Sequence, residues 1–239
     1  MNWDTLLFVI FPYISLAIFF AVTIYRSLYQ PFTVSSLSSQ LFERRKPYWG
    51  SISFHYGVVL VLLGHLLALL LPQDLRLWND VPIRLYLVEL TGLALGIWAL
   101  AGLVILLWRR LSVKRLRVIS TPMDFAVLVL LLVSVMSGVL VATLYRFGTF
   151  WFTAIFSPYL VSVLTFQPKA SLVTPLPWLI KLHVTNFFIL LAICPFSRLV
   201  HILTYPLGFL IRPWQIVIYN RRRARQTPES QSFQSEEIK

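Results

Sequence analysis

Long apolar stretches separated by short polar connections dominate the chain. Each stretch is close to the length of about 20 mostly apolar residues that a helix needs to cross the hydrocarbon core of a bilayer. The pattern therefore predicts an all-α protein, a polytopic membrane bundle with five transmembrane helices. The predicted spans are approximately Leu6–Ile24, Ser51–Leu71, Leu87–Trp108, Phe125–Leu144 and Trp178–Val200.

A further apolar stretch, Phe150–Phe166, is shorter and contains Pro158. It is predicted to be an interfacial or re-entrant segment, and a sixth span is the alternative. Before the fourth span, Thr121, Pro122 and Asp124 have the spacing of an N-cap, a first helical residue and the third residue of a capping box. We therefore expect the fourth helix to begin at Pro122.

The composition is that of a membrane protein. Of the 239 residues, 58% are hydrophobic and 13% are charged, whereas charged residues make up about 25% of an average soluble domain. With a mean hydropathy of +0.76, the chain is not expected to be a soluble globule, a disordered protein, a collagen or a disulfide scaffold. Residues 1–225 are predicted to form a single integral-membrane domain, and residues 226–239 a polar, disordered tail.

The formal net charge of +12 is explained mainly by membrane topology. Sixteen of the 21 Lys and Arg residues lie on one side of the five predicted spans, and five lie on the other. Because basic residues concentrate in cytoplasmic loops, we expect an outside N-terminus and a cytoplasmic C-terminus, in the cell (inner) membrane. The expected surroundings are a lipid bilayer, and nucleic acid is not an expected partner.

All four histidines, His55, His65, His183 and His201, lie in or at the ends of the second and fifth spans. Ionisable residues inside a bilayer are costly, and the default hypothesis for them is functional. The two spans run in opposite directions, which pairs His55 with His201 near the cytoplasm and His65 with His183 near the outside. Ideal helices give separations of about 15 Å and about 27 Å along the two spans. The two separations differ, so helix tilt, a kink at Pro195 or approach to a ligand from opposite sides must compensate if each pair binds one ligand.

Two pairs of histidines at two depths favour two b-type haems. Zinc takes four close ligands, whereas haem iron needs only two axial ligands from the protein, and closing both favours electron transfer over oxygen chemistry. Cys194 is the only cysteine, which excludes an intrachain disulfide and a four-cysteine iron–sulfur cluster on this chain. Gly57 and Gly64 either let a flat macrocycle approach the helical turns that carry His55 and His65, or they serve ordinary helix packing.

Several segments resemble the gamma subunit of membrane-bound respiratory nitrate reductase, and together they span nearly the whole chain. The resemblance implies a five-helix dihaem cytochrome b that oxidises quinol, with His55 and His201 on the proximal, cytoplasmic haem and His65 and His183 on the distal one. It is weakest in residues 145–180 and after Arg225. The segments are Ser38–Lys46, Phe54-His55, Gly64-His65, Leu182-His183 and, most specifically, Pro195-Phe196-Ser197-Arg198-Leu199-Val200-His201.

The resemblance also implies partners. Electrons from quinol would enter near the distal haem, pass to the proximal haem, and reach the iron–sulfur clusters of a beta subunit and the molybdenum site of an alpha subunit. One departure concerns quinol binding, because family members can carry a lysine near the outer start of the third span. This sequence has Tyr86 there, and Arg84 is the alternative cation.

Three further ionisable residues are candidates near these sites. Glu89, just inside the third span on the outer side, either accepts a proton from quinol or reaches interfacial water. Arg110 and Arg198, near cytoplasmic helix ends, either pair with propionates of the proximal haem or anchor the helices on the positive side.

The leading functional hypothesis is a quinol-oxidising cytochrome b that anchors a cytoplasmic nitrate reductase, with the nitrate site on another chain. The same module serving a sulfite-linked, heterodisulfide-linked or nitrite-oxidising complex is the close alternative. A haem-free transporter or scaffold is the alternative from a different class. The sequence shows no inverted repeat and few acidic residues inside its spans, which counts against a transporter.

Overall fold

The computed structural model describes residues 3–29, 47–118, 120–200 and 202, and its regular elements within these ranges are all helical. Five helices are long and apolar enough to cross a membrane, which confirms the predicted fold class. The described residues belong to one compact unit, residues 1–204. The predicted domain end at residue 225, the polar tail and the segment Ser38–Lys46 lie outside the described residues.

Helices α1 to α8 are numbered along the chain, and most of the long ones extend beyond the predicted apolar stretches. The long helices are α1 (Trp3–Tyr29), α2 (Pro47–Leu70), α4 (Pro82–Ser112), α6 (Pro122–Leu144) and α8 (Trp178–Ile193). The shorter helices are α3 (Pro72–Asn79), α5 (Lys114–Val118) and α7 (Gly148–Leu164).

Prolines and one capping box set several helix starts. Pro72, Pro82 and Pro122 are the first residues of α3, α4 and α6, where the missing N–H leaves no helical hydrogen bond unmade. Thr121 Oγ1 accepts from the backbone N–H of Asp124 at 3.3 Å, and Asp124 Oδ2 accepts from that of Thr121 at 3.0 Å. The predicted capping box at the start of α6 is therefore confirmed.

The fifth span is not a continuous helix to Val200. Helix α8 ends at Ile193, and two 3₁₀ turns follow at Cys194–Phe196 and Arg198–Val200. Pro195 cannot donate to the helical ladder, and its ring clashes with the preceding turn. The ideal-helix separation assumed for His183 and His201 therefore does not apply, because regular helix stops between them.

The long helices pack in a row: α2 along α4, α4 along α6, α6 along α8, and α8 along α1. Helices α2 and α4 approach most closely because small residues face each other. A Cβ at Gly102 would lie 2.7 Å from the carbonyl oxygen of Gly50, and a Cβ at Gly57 would lie 2.9 Å from that of Leu95. Larger side chains at these positions would push the two helices apart.

Helix α7 lies where α2 and α6 end and where α4 and α8 begin, and we call this the α7 end of the bundle. It is too short to count among the spanning helices, and the described residues contain no sixth helix of spanning length. The α7 end also holds the main apolar core. Its largest fully buried members include Phe8, Tyr159, Val163 and Phe188.

Candidate cofactor site

His65 and His183 lie at the same depth, near the α7 end. His65 is five residues before the end of α2, and His183 is five residues after the start of α8, so that each is about 7.5 Å along its helix from that end. The two histidines predicted to lie nearer the outside are thus both near the α7 end, and their pairing stays a prediction.

Both histidines of α2 use Nδ1 for a hydrogen bond to the backbone. The Nδ1 of His65 lies 2.8 Å from the carbonyl oxygen of Val61, and the Nδ1 of His55 lies 2.7 Å from that of Ser51. A carbonyl oxygen can only accept, so Nδ1 carries the hydrogen in each ring. In this tautomer Nε2 has the lone pair that can coordinate a metal, and such a bond from the other nitrogen typically supports a metal-binding histidine.

His183 reaches the same tautomer through a side chain of α6. Its Nδ1 lies 2.9 Å from Ser137 Oγ, and the Ser137 hydroxyl donates to the carbonyl oxygen of Ser134 at 3.0 Å. Because the Ser137 hydroxyl hydrogen is used in the bond to Ser134, Ser137 Oγ accepts a hydrogen bond from Nδ1–H of His183. A Cβ at Gly138 would lie 3.1 Å from His183 Cε1. Helix α6 therefore positions the His183 ring and leaves Nε2 with its lone pair.

The second predicted pair is described only in part. His55 lies on α2 toward the end opposite α7 and is exposed, whereas His201 lies outside the described residues. The chain leading toward His201 is held by α1, because Arg26 donates through Nη1 to the carbonyl oxygen of Pro195. The pairing of His55 with His201 stays a prediction.

Helices α2 and α8 do not pack along each other. Among the described residues, α2 and α8 have no extensive backbone contact with each other. They are linked through α4 and α6 instead. His55 and His65 are exposed on α2, while Gly57 is buried against α4. Gly57 thus serves helix packing, whereas a Cβ at Gly64 would meet nothing within 4 Å, which leaves open space beside His65.

The donor set fits a haem better than a metal ion bound by protein alone. In the described part of the chain, no group of three or more His, Cys, Asp or Glu side chains is arranged to hold a metal ion. Haem iron needs only two protein ligands. His65 and His183 offer two Nε2 lone pairs near the α7 end, from helices that do not pack along each other. A haem with two axial imidazoles therefore fits the residues near the α7 end.

Glu89 holds the start of α7. Its Oε1 accepts from the backbone N–H of Thr149 at 2.7 Å and from Thr149 Oγ1 at 2.6 Å. Asn79, which is 5% exposed, donates through Nδ2 to the same Thr149 hydroxyl oxygen at 3.2 Å. The carboxylate is therefore part of a half-buried network that joins α3, α4 and α7.

The other two predicted quinol-site residues lie at the same end but have separate neighbours. The rings of Tyr86 and Phe147 have centroids 6.3 Å apart, which places Tyr86 against the residue that precedes α7. The guanidinium of Arg84 lies 4.9 Å from the centre of the Trp78 ring on α3. Tyr86 and Glu89 thus both contact the start of α7. Arg84 lies against α3 instead, and it forms neither a salt bridge nor a ring contact with the described residues of α7.

Arg110 and Arg198 converge on one carboxylate at the opposite end. Arg110 Nη2 lies 3.0 Å from Asp124 Oδ2, and Arg198 Nε lies 3.1 Å from Asp124 Oδ1. The Asp124 side chain is only 7% exposed, so its charge is neutralised by two cations in a largely buried position. Sequence reasoning identified Asp124 only as a helix cap, because nothing along the chain links it to either arginine.

Two residues that contact the histidines were also missed. Ser137 binds His183, and Phe152 lies against His65 with ring centroids 5.2 Å apart. A serine within an apolar span was a usable signal, since such hydroxyls often bind across helices. Phe152 is one of 18 phenylalanines, and no local pattern distinguishes it from the others.

Comparisons with known proteins agree over most of the chain. The family model described as nitrate reductase gamma subunit matches residues 4–220. The nitrate reductase gamma chain of Bacillus subtilis is 36% identical over 217 residues, which cover 89% of this chain and 96% of that protein. The respiratory nitrate reductase 1 gamma chain of Escherichia coli is 30% identical over 215 residues, covering 88% and 95%. The Hdr-like menaquinol oxidoreductase cytochrome b-like subunit of Archaeoglobus profundus is 30% identical over 159 residues, covering 63% and 45%.

Proposed function

Because the chain belongs to the nitrate reductase gamma subunit family, we propose that it is the quinol-oxidising membrane subunit of a respiratory nitrate reductase. In this proposal it binds two b haems and passes electrons to cytoplasmic iron–sulfur and molybdenum subunits. The observation that supports the proposal is that His65 and His183 each lie about 7.5 Å along their helices from the α7 end, on helices α2 and α8 that do not pack along each other.

His65 and His183 would hold the distal haem, and His55 and His201 the proximal one. When bound, the two haems supply one-electron carriers at two depths of the bilayer. The hydrogen bonds from Nδ1 to Val61, Ser137 and Ser51 orient each described ligand and raise the basicity of its Nε2.

Quinol oxidation releases two electrons and two protons, and the protons need an acceptor close to where the electrons enter. We assign this step to the α7 end, where Glu89 and Tyr86 both contact the start of α7 and where His65 lies. Glu89 is the proposed proton acceptor. Tyr86 and Arg84 are the proposed neighbours of the quinol headgroup.

We assign the opposite end to the cytoplasm and to the partner subunits. The sequence assigns sixteen of the 21 basic residues to this side of the predicted spans, and basic residues concentrate in cytoplasmic loops. Arg110 and Arg198 lie at this end, and a guanidinium has five N–H donors, so that binding Asp124 leaves donors of Arg110 for a propionate of the proximal haem. With a single cysteine in this chain, the iron–sulfur clusters that receive the electrons belong to a beta subunit, and the molybdenum site to an alpha subunit.

The haem content of the chain, purified with its partner subunits, tests this proposal. We expect two b haems per chain in a pyridine haemochrome assay, and an absence of haem would overturn the proposal. His65→Ala and His183→Ala should each remove the same haem, and His55→Ala and His201→Ala the other, as separated by redox titration. Removal of different haems by the two members of a pair would contradict the pairing.

The proton-acceptor role of Glu89 has a separate test. An amide cannot take up a proton, so Glu89→Gln should slow quinol oxidation and change its pH profile. Asp74→Asn is the matched control, because Asp74 is an exposed acid on α3 near the same end. Rates equal to those of the unmodified protein across the pH range would exclude Glu89 as the acceptor.

A second candidate is the same quinol-oxidising module in a different complex. Similarity to the menaquinol oxidoreductase subunit of Archaeoglobus profundus favours it, because the name of that protein states a quinol substrate and no nitrate. Reoxidation of the reduced haems by nitrate in the isolated complex would support the first proposal. Reoxidation by a sulfur compound, with none by nitrate, would support the second.

A further inference from the structure

Helix α7 contacts α2 at His65 and again three residues after it. The Phe152 ring meets the His65 ring with centroids 5.2 Å apart and an interplanar angle of 88°. Five residues further along α7, Ser157 Oγ donates to the carbonyl oxygen of Ala68 at 2.9 Å. Ala68 is three residues after His65, which is slightly less than one helical turn. The two contacts thus involve the imidazole itself and the turn of α2 that carries it.

The first contact restricts the plane of the His65 ring. Nδ1 donates to the carbonyl oxygen of Val61, which ties one edge of the imidazole to its own helix. Phe152 stands perpendicular to the ring and limits rotation about the Cβ–Cγ bond, the softest torsion of this side chain. Phe152 also begins a π-helical turn, Phe152–Phe156, and widened turns of this kind are frequent at functional sites.

The second contact replaces a hydrogen bond that α2 cannot make. The carbonyl of Ala68 would bind the N–H of residue 72 if the helix continued, but residue 72 is Pro72 and has no N–H. Ser157 donates to that carbonyl instead, and Ser157 and Ala68 are only 1% and 4% exposed. In such a site no water competes for the carbonyl, so the bond fixes α7 to the last turn of α2.

The beginning of α7 is also held by hydrogen bonds, which fix the helical turn that carries Phe152. Thr149 donates twice to Glu89 and accepts from Asn79. Before it, Phe147 has φ 65°, a left-handed backbone conformation that is uncommon for a bulky residue and that turns the chain sharply into α7. Helix α7 is therefore held at its start by α3 and α4 and further along by α2.

We propose that α7 positions the distal haem ligand: Phe152 sets the plane of the His65 imidazole, and Ser157 sets the turn of α2 that carries it. The inference rests on the proposed function, since His65 has this role only as a haem ligand. Phe152 and Ser157 are positioning residues and do not coordinate the iron. Their effect is confined to the distal haem, because His55 lies ten residues away on α2.

Phe152→Leu tests the first part, with Phe150→Leu as the matched control. Phe150 is two residues earlier on α7, and its side chain is exposed. The readout is the EPR spectrum of the oxidised complex, because the angle between the two axial imidazole planes governs the g anisotropy of a low-spin ferric haem. Phe152→Leu should displace the largest g value of the distal haem and leave the proximal signal in place. Phe150→Leu should leave both signals in place.

Ser157→Ala tests the second part with the same readout, and we expect a displacement of the distal signal alone. Selective loss of the distal haem from Phe152→Leu or Ser157→Ala would equally support the proposal. Unchanged distal signals in both variants would overturn it. Loss of both haems from Phe152→Leu would also overturn it, because it would indicate a general folding role. If the unmodified complex contains no haem, the proposed function fails instead, so the two failures are distinguishable.

Discussion

At the scale of single residues, several polar side chains inside the bundle have specific partners on neighbouring helices. Asn186, 2% exposed, donates to the carbonyl oxygen of Leu130 at 2.9 Å. The fully buried Tyr159 donates to that of Phe8 at 2.9 Å. A buried polar group without a partner is costly, so these bonds fix how the helices are rotated. For the histidines, the same kind of bond also decides which ring nitrogen is available to a ligand.

Ser137→Ala should weaken distal haem binding. The change removes the acceptor of the His183 Nδ1–H, and loss of such a supporting bond typically costs about 10- to 100-fold in affinity for the ligated metal. Haem transfer from the purified complex to apomyoglobin measures the effect. Ser134→Ala is the control, since Ser134 contributes only its carbonyl oxygen to this network. Equal haem retention in the two variants would contradict the assigned tautomer.

Asp124→Asn should destabilise the bundle. It removes the negative charge between Arg110 and Arg198, and hydrogen bonds to charged groups contribute about 1.5–3 kcal/mol each. Because the arginine side chains are 23% and 36% exposed, solvent screening favours a total loss near the lower value. Thermal unfolding in detergent gives the comparison with Asp80→Asn, a change at an exposed acid. A Tm equal to that of Asp80→Asn would show that the cluster adds no stability.

At the scale of helices, glycine and proline decide features that hydropathy does not reveal. Gly50, Gly57 and Gly102 let the backbones of α2 and α4 touch, and both histidines of α2 lie on its exposed surface. Pro195 ends the regular part of α8. The apolar pattern predicted five spans, but it has no information on which face of a span is packed, because lipid and protein interior are similarly apolar.

Gly102→Ala and Gly92→Ala on α4 should have opposite effects. A Cβ at Gly102 would meet the backbone of α2, whereas a Cβ at Gly92 would meet nothing within 4 Å. Overpacking costs about 1–3 kcal/mol, while replacing an exposed helical glycine by alanine gains up to about 1 kcal/mol. We therefore expect a lower Tm for Gly102→Ala and an equal or higher Tm for Gly92→Ala. The same Tm for both would mean that α2 and α4 do not pack through Gly102.

At the scale of the whole molecule, the row of packed helices separates the two that carry the histidines. Helices α4 and α6 link α2 to α8, and in the described part of the chain α2 and α8 do not pack along each other. The two ends of the bundle also differ chemically. The α7 end has the Glu89 network and the large apolar core. The opposite end has the cluster around Asp124 and, among the described basic residues, the larger share, seven against five.

The charge distribution predicts which end faces the cytoplasm, and cysteine labelling tests it. After Cys194→Ser, Thr174→Cys at the α7 end should react with a membrane-impermeant maleimide in intact cells. Lys114→Cys at the opposite end should react only after permeabilisation. Both residues are exposed, so labelling of both in permeabilised cells is the control. The reverse pattern would contradict the positive-inside orientation and leave the fold unaffected.

The sequence by itself determined the fold class, the presence of five spans, the capping box of α6, and the restriction of the three described histidines to two helices. These properties follow from local hydropathy and spacing, which a helix in a bilayer displays directly. The resemblance to nitrate reductase gamma subunits also came from local motifs, and the family comparisons confirm it. Haem binding, the pairing of His55 with His201, and the direction of electron flow stay predictions.

Only the tertiary structure decided what surrounds those histidines. It brought Ser137 to His183, Phe152 to His65 and Thr149 to Glu89, across 46, 87 and 60 positions of the chain. It also shows that α8 ends at Ile193 and that Gly57 faces α4. Such contacts depend on how helices rotate and approach one another. That is set by the sum of many small packing terms along whole helices, and no short segment of sequence contains it.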